Sequence, residues 1–153
     1  MKKRQYLQSL YVVLLGSLCC LSVNTQSQLF TPEQITKIEN KLIGKHKLSL
    51  QWVSWETFGS VDILRDADGL SIEGIQELNE NFVSLFGKIK VIDEKAFLFT
   101  GEIVTRVDHI NNGNACTRQG TYEFRATGKR KYWRLQQMEN PCDPVTDYVD
   151  VYF

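Results

Sequence analysis

Between Thr31 and Gly44 the apolar positions Ile35, Ile38 and Leu42 recur at helical spacing, and after Gly44 the period drops to two. Thr31-Pro32-Glu33-Gln34 supplies a capping Thr, a Pro at the first helical position and a Gln three residues on that completes a capping box. The pattern predicts a short amphipathic helix over Pro32 to Ile43, ended by Gly44. A helix of this length is marginal alone, so its apolar stripe must pack on something. Beyond it Leu48, Leu50 and Trp52 alternate with Ser49, Gln51 and Val53, and short β-rich runs separated by turn residues continue to the end of the chain. They predict about eight strands, near residues 46–55, 60–65, 70–77, 82–92, 96–107, 118–127, 130–138 and 146–152.

Residues that face each other across an antiparallel ladder share one face of the sheet, so each hairpin can be checked against its own pattern. A turn at Asp93-Glu94-Lys95 places Val91 opposite Phe97, Ile89 opposite Phe99, Leu85 opposite Ile103 and Gly87 opposite Gly101. Paired mid-strand glycines indicate a sharp bend or a close backbone approach. A turn at Asp66-Ala67-Asp68-Gly69 sets Ile63 against Ile72. A two-residue turn at Gly128-Lys129 pairs Phe124 with Trp133 and Tyr122 with Leu135 on one face, and Glu123 with Arg134 and Arg125 with Tyr132 on the other.

Eight short strands joined by tight turns predict a mainly β fold, an antiparallel up-and-down barrel that leaves no exposed edge. The N-terminal helix would then cover an open end or a side seam. A β-sandwich is the alternative. The inward face carries Trp52, Phe97, Phe99, Tyr122, Phe124 and Trp133, which either fill the barrel or line a cavity for an apolar ligand. The likeness to lipocalin and avidin-type barrels is one of architecture alone, because Gln51-Trp52 stands where lipocalins carry a Gly-x-Trp.

Charge and cysteine content both change once the chain is divided. Lys plus Arg equals Asp plus Glu, 18 against 18. The opening Met1-Lys2-Lys3-Arg4, the apolar run from Leu10 to Leu21 and the polar stretch that follows have the layout of a secretory signal over residues 1–27. The working unit is then a single β domain, residues 28–153, with 15 basic against 18 acidic side chains and a net charge of −3. No global field draws it to nucleic acid. Cys19 and Cys20 leave with the signal, and Cys116 and Cys142 read as one disulfide, worth about 3 kcal/mol for such a loop. The chain is expected to be exported, periplasmic or extracellular, with no membrane span once the signal is cleaved. The alternative is a membrane anchor, through an uncleaved signal or a lipidated Cys.

Motifs for chemistry are few. Asp66-Ala67-Asp68-Gly69 lacks the flanking ligands of a calcium loop, with Leu64 and Ile75 where acidic or amide ligands belong. Asp108-His109 is not a triad, no Ser sits in a nucleophile elbow, and Ile110–Asn114 reads as a long loop turning on Asn112-Gly113. His46 and His109 with two cysteines make no zinc set, and nothing calls for a metal or cofactor. Lys129–Arg134 interleaves cations with aromatics, a pattern that binds single-stranded nucleic acid when the rings are exposed. The expected register turns Trp133 inward and leaves Arg125, Tyr132 and Arg134 as the candidate outer contact surface.

The C-terminal third, with HINNGNAC at 109–116, GKRKYWRLQQMENPC at 128–142 and DYVDVYF at 147–153, resembles a family of small exported bacterial proteins of unassigned function that share this closing block. The resemblance implies export and places both cysteines inside the shared block; it carries over no catalytic residue. The reading is an exported, non-enzymatic binding or structural protein whose occupant is a small apolar ligand or a protein partner. The alternative is a small barrel enzyme, a hydrolase or isomerase, using a cavity carboxylate.

Overall fold

A computed structural model describes residues 30–153, and the signal-like segment 1–27 lies outside the described residues. Helix α1 (Pro32–Leu42) starts at Thr31, whose hydroxyl accepts from the Gln34 amide while the Gln34 side chain accepts from the Thr31 amide. This is the expected capping box. Glu33 in the first turn and Lys41 in the last suit the helix dipole, and Ile38 and Leu42 are the buried stripe.

Eight strands follow: β1 (Gly44–Leu50), β2 (Gly59–Asp66), β3 (Gly69–Leu78), β4 (Asn81–Asp93), β5 (Ala96–Arg106), β6 (Cys116–Arg125), β7 (Tyr132–Leu135) and β8 (Val149–Tyr152). Each pairs antiparallel with the next, and β8 returns to pair with β1, so the sheet is a closed barrel rather than a sandwich. Inward positions alternate as the period-two pattern requires: Leu48 and Leu50, Val61 and Ile63, Leu70 and Ile72, Val83 and Leu85, Phe97 and Phe99, Val149 and Val151 are all buried. No helix among the described residues is long and apolar enough to cross a membrane.

The β4–β5 hairpin has the expected register, with Val91 opposite Phe97, Ile89 opposite Phe99, Leu85 opposite Ile103 and Gly87 opposite Gly101. Ile63 faces Ile72 as expected. The β6–β7 hairpin departs from its expectation by two residues: Phe124 faces Leu135 and Arg125 faces Arg134. The turn is in the expected place, since the Arg130 amide donates to the Thr127 carbonyl around Gly128-Lys129. However, the Ala126 amide donates to Lys95 on the β5 side, and Trp133 and Arg134 take Val151 and Asp150 of β8 as partners. A slip of two preserves which face each side chain occupies, so face alternation could not detect it.

Strands β1, β7 and β8 are shorter than the expected runs 46–55, 130–138 and 146–152. β1 stops at Leu50, where the amides of Val53 and Ser54 turn back to the Leu50 carbonyl. Trp52 therefore lies in a turn rather than on a strand. Gln51 replaces the missing ladder by accepting from the Tyr148 amide and donating to the Thr146 carbonyl. On β3 the fully buried Gln76 also stands in for backbone pairing. It accepts from the Leu50 amide at 2.6 Å and donates to the carbonyls of Ser54 and Thr57, tying down the β1–β2 connection.

Gly101 pairs with Gly87 on one side and Gly120 on the other, which sets three glycines in a row across β4, β5 and β6. A Cβ at Gly101 would lie 2.6 Å from the Gly87 Cα and 2.9 Å from the Phe99 ring. That ring covers the bend from inside, as aromatics do over glycines in tightly curved sheets. Replacing Gly101 with Ala is expected to overpack this corner and destabilise the fold by roughly 1–3 kcal/mol in denaturant unfolding. Thr121→Ala on the outer face, which loses the exposed hydroxyl contact with Thr100, should cost less than about 1 kcal/mol; equal effects would contradict the close approach.

Candidate functional site

The two ends of the barrel differ. At one, α1 lies against the β4–β5 and β6–β7 turns and the C-terminal residue, and between them opens a groove of about 560 Å³. Its floor is apolar: Ile38 and Leu42 from the helix, Phe97 from β5, Trp133 from β7 and Phe153 at the chain terminus. Trp133 is sandwiched there, 4.4 Å from Phe153 and 5.7 Å from Phe97 between ring centroids. The His46 imidazole bridges the edge of the groove, its ring nitrogens 2.7 Å from the Leu42 carbonyl and 3.0 Å from the Tyr152 carbonyl. This ring ties the last turn of the helix to the closing strand. Lys41, Lys95, Lys129, Arg130 and Lys131 form the rim.

Of the six aromatic residues expected on the inward face, Phe97 and Trp133 line this groove. Phe99 and Phe124 lie deeper, fully buried, with Phe124 stacked on Phe97 at 5.2 Å and edge-on to Phe99 at 6.0 Å. Tyr122, half-buried, lies over Gly120. Trp52 is apart from the other five, at the opposite end, with its indole N–H donating to Thr146 and its ring edge-on to His109.

Arg125, Tyr132 and Arg134 are neighbours on the outer face, but their charges have local uses. Arg125 bonds to Asp93 and Glu123. Arg134 makes a two-pronged bond, both contacts 2.7 Å, to Asp150, whose side chain is fully buried. It also stacks on Tyr148 at 4.2 Å and Tyr132 at 5.1 Å. The expected Glu123–Arg134 pairing is therefore replaced by Glu123–Arg125 and Asp150–Arg134, and the cations over Tyr132 are Arg134 and Arg130 rather than Arg125. The two-residue shift in register accounts for both exchanges. It sets Arg125 beside Arg134, and a separate carboxylate for each relieves the repulsion.

The far end is pinned shut. Cys116 and Cys142 are bonded, with their Cα atoms 5.9 Å apart. Asn140 accepts from the Cys142 and Asp143 amides and donates to Asp147 at 3.0 Å. Asp147 is buried against Arg118, which also donates to the Gln137 carbonyl. The second carboxylate oxygen of Asp147 has no partner among the described residues. It borders a cavity with no room for a water molecule that is also lined by Trp52, Thr105 and Asn114. The β5–β6 loop above it turns through Asn111 and Asn112, both in the left-handed region, as the Asn112-Gly113 signal indicates. Burial pushes the Asp147 carboxyl above the usual carboxylate range, against the opposing pull of Arg118 and of the Asn140 donor. Among the described residues no cluster of His, Cys, Asp and Glu is placed to hold a metal.

Sequence reasoning missed several of these groups. Gln76 and Arg118 had a usable signal, since each is polar at an inward phase, in step with Ile72 and with Phe124. Asp150 sits at an outward phase and Asp147 in a loop, so nothing in the alternation marks them as buried. The rim lysines come from a helix and two turns and meet only in three dimensions.

These features define a small closed antiparallel barrel with a helix across one mouth and a disulfide-pinned opposite end. By sequence the chain belongs to the PM1083 family, whose model matches residues 23–153. It is 74% identical over 153 residues, the full length of both chains, to a protein of Pasteurella multocida (strain Pm70) named "Uncharacterized protein PM1083". No solved structure matches the chain.

The raised value for Asp147 makes a prediction with a definite sign. A carboxyl that holds its proton more tightly folded than unfolded gains stability as pH falls through its folded value. The melting temperature of the natural protein relative to Asp147→Asn should therefore rise as pH is lowered from 7 to about 4. A difference that stays flat or narrows would contradict a desolvated carboxyl.

Proposed function

We propose that this protein is an exported, non-catalytic binding protein that takes a small, largely apolar ligand at the mouth of its barrel. The observation that carries the reading is the groove under α1. Its volume of about 560 Å³ falls within the usual range of small-molecule sites, and its apolar floor with polar groups confined to the rim has the composition such sites have. Export is supported by the basic opening, the apolar run and a cysteine pair that is bonded in the fold.

The enzyme alternative would rest on Asp147, a buried carboxylate that burial pushes above the usual range. Its cavity has no room for a water molecule, so a substrate has no place beside it, and we assign Asp147 to holding the β7–β8 connection. A docking role for the outer face is weaker, because Arg125 and Arg134 are already engaged by carboxylates.

Trp133 reports on the groove directly. In a variant with Trp52→Phe and Trp55→Phe, adding an uncharged apolar ligand such as Nile red or a medium-chain alcohol should change Trp133 emission saturably. No response from any member of such a panel would contradict a site at the mouth.

A further inference from the structure

We propose that the ligand of this groove is a single-chain amphiphile with an anionic head, a carboxylate or a phosphate. The inference deepens the binding reading above and rests on it. The domain as a whole is acidic, yet the rim gathers five cations, Lys41, Lys95, Lys129, Arg130 and Lys131, around one opening. None of the five is in a salt bridge with any described residue. Two side-chain carboxylates and the α-carboxylate of Phe153 lie nearby; Asp93 is engaged by Arg125, leaving Glu94 and the Phe153 carboxylate against five cations. Among the described residues the Lys95 ammonium meets only the Gly128 carbonyl, at 3.5 Å, and the Arg130 guanidinium only the Tyr132 ring, at 5.6 Å.

Gathering like charges costs free energy unless an opposite charge arrives, and such a rim selects an anion over a neutral analogue. The floor then decides what kind of anion. Ile38, Trp133 and Phe153 offer hydrocarbon and ring surface over the buried Leu42 and Phe97, and their one side-chain hydrogen-bonding group, the Trp133 indole N–H, is too few to hold a free phosphate. Trp133 is buried under Phe153 rather than presented as a stacking platform, which disfavours a nucleic-acid strand. A chain lying on the floor with its head at Lys129–Lys131 satisfies both halves of the site.

The test is competition against Nile red bound to the disulfide-intact protein, with dodecanoate, dodecyl phosphate, dodecanol and inorganic phosphate as competitors. Dodecanoate or dodecyl phosphate should displace the dye at a concentration at least about tenfold below dodecanol, a difference of about 1.4 kcal/mol. Whichever of the two is stronger identifies the head as carboxylate or phosphate. Inorganic phosphate should not displace. In the triple variant Lys129→Gln, Arg130→Gln, Lys131→Gln, an exposed loop whose melting temperature checks folding, the preference should vanish while the dodecanol midpoint is unchanged.

Equal competition by dodecanol would overturn the anionic head and leave the groove reading standing. Failure of Nile red and every alkyl probe to bind would overturn both. Displacement by inorganic phosphate alone, or a preference that survives in the triple variant, would overturn the assignment of the rim. Sedimentation with phosphatidylglycerol vesicles without dye displacement would instead assign the cations to a lipid surface, and would likewise overturn it.

Discussion

Closure of the barrel rests on four residues. β8, Val149–Tyr152, pairs with β1 along one edge and with β7 along the other, so eight strands become a barrel only if this short segment is held in place. Its inward side contributes Val149 and Val151 to the core, and its outward side contributes Asp150, buried under the planar guanidinium of Arg134. An unpaired carboxylate at that depth would be strongly unfavourable. The seam and the ion pair therefore stand or fall together: β7 presents Arg134 at the level of Asp150. Once β8 is in place, Phe153 is carried over Trp133 and Tyr152 reaches His46. The mouth of the barrel is thus assembled by the strand that closes it.

The same closure makes the two ends unequal. At the far end Gln76 fastens the β1–β2 connection, the Cys116–Cys142 bond and the Arg118–Asp147 pair both fasten the β7–β8 connection to β6, and stacked rings occupy the middle. The helix end has a different construction, with short turns, one bridging imidazole and a helix with only two buried residues. Elements with few buried contacts are those that yield most readily to a ligand. The asymmetry agrees with a pinned base and an adaptable mouth.

Most of the architecture was legible in the residues. The capping box at Thr31–Gln34, the change of period at Gly44, and the pairings Val91–Phe97, Gly87–Gly101 and Ile63–Ile72 are local consequences of spacing, and spacing survives into the fold. Features set by partners distant in sequence were not legible. The slip between β6 and β7 accompanies the pairing of Arg134 with Asp150, sixteen residues further on, and a two-residue slip leaves the inward and outward sets untouched. Trp52 has the alternation of a strand residue, yet Gln76 and Gln51 take over the hydrogen bonds there and the chain turns. The groove divides the candidate site in the same way. Trp133 and Phe97 could be placed inward from their phase, whereas Lys41, Lys95 and Lys129 come from three elements whose adjacency no local pattern encodes.

The claim that the helix-end mouth is the working surface is tested most directly by amide hydrogen exchange on the intact protein, with and without saturating dodecanoate. Slower exchange is expected, confined to the last turn of α1, the β4–β5 turn, residues 126–133 and the C-terminal strand, with the disulfide-pinned end unchanged. Protection centred instead on the Asp147 end or the outer face of β2–β4, with the mouth unaffected, would contradict it.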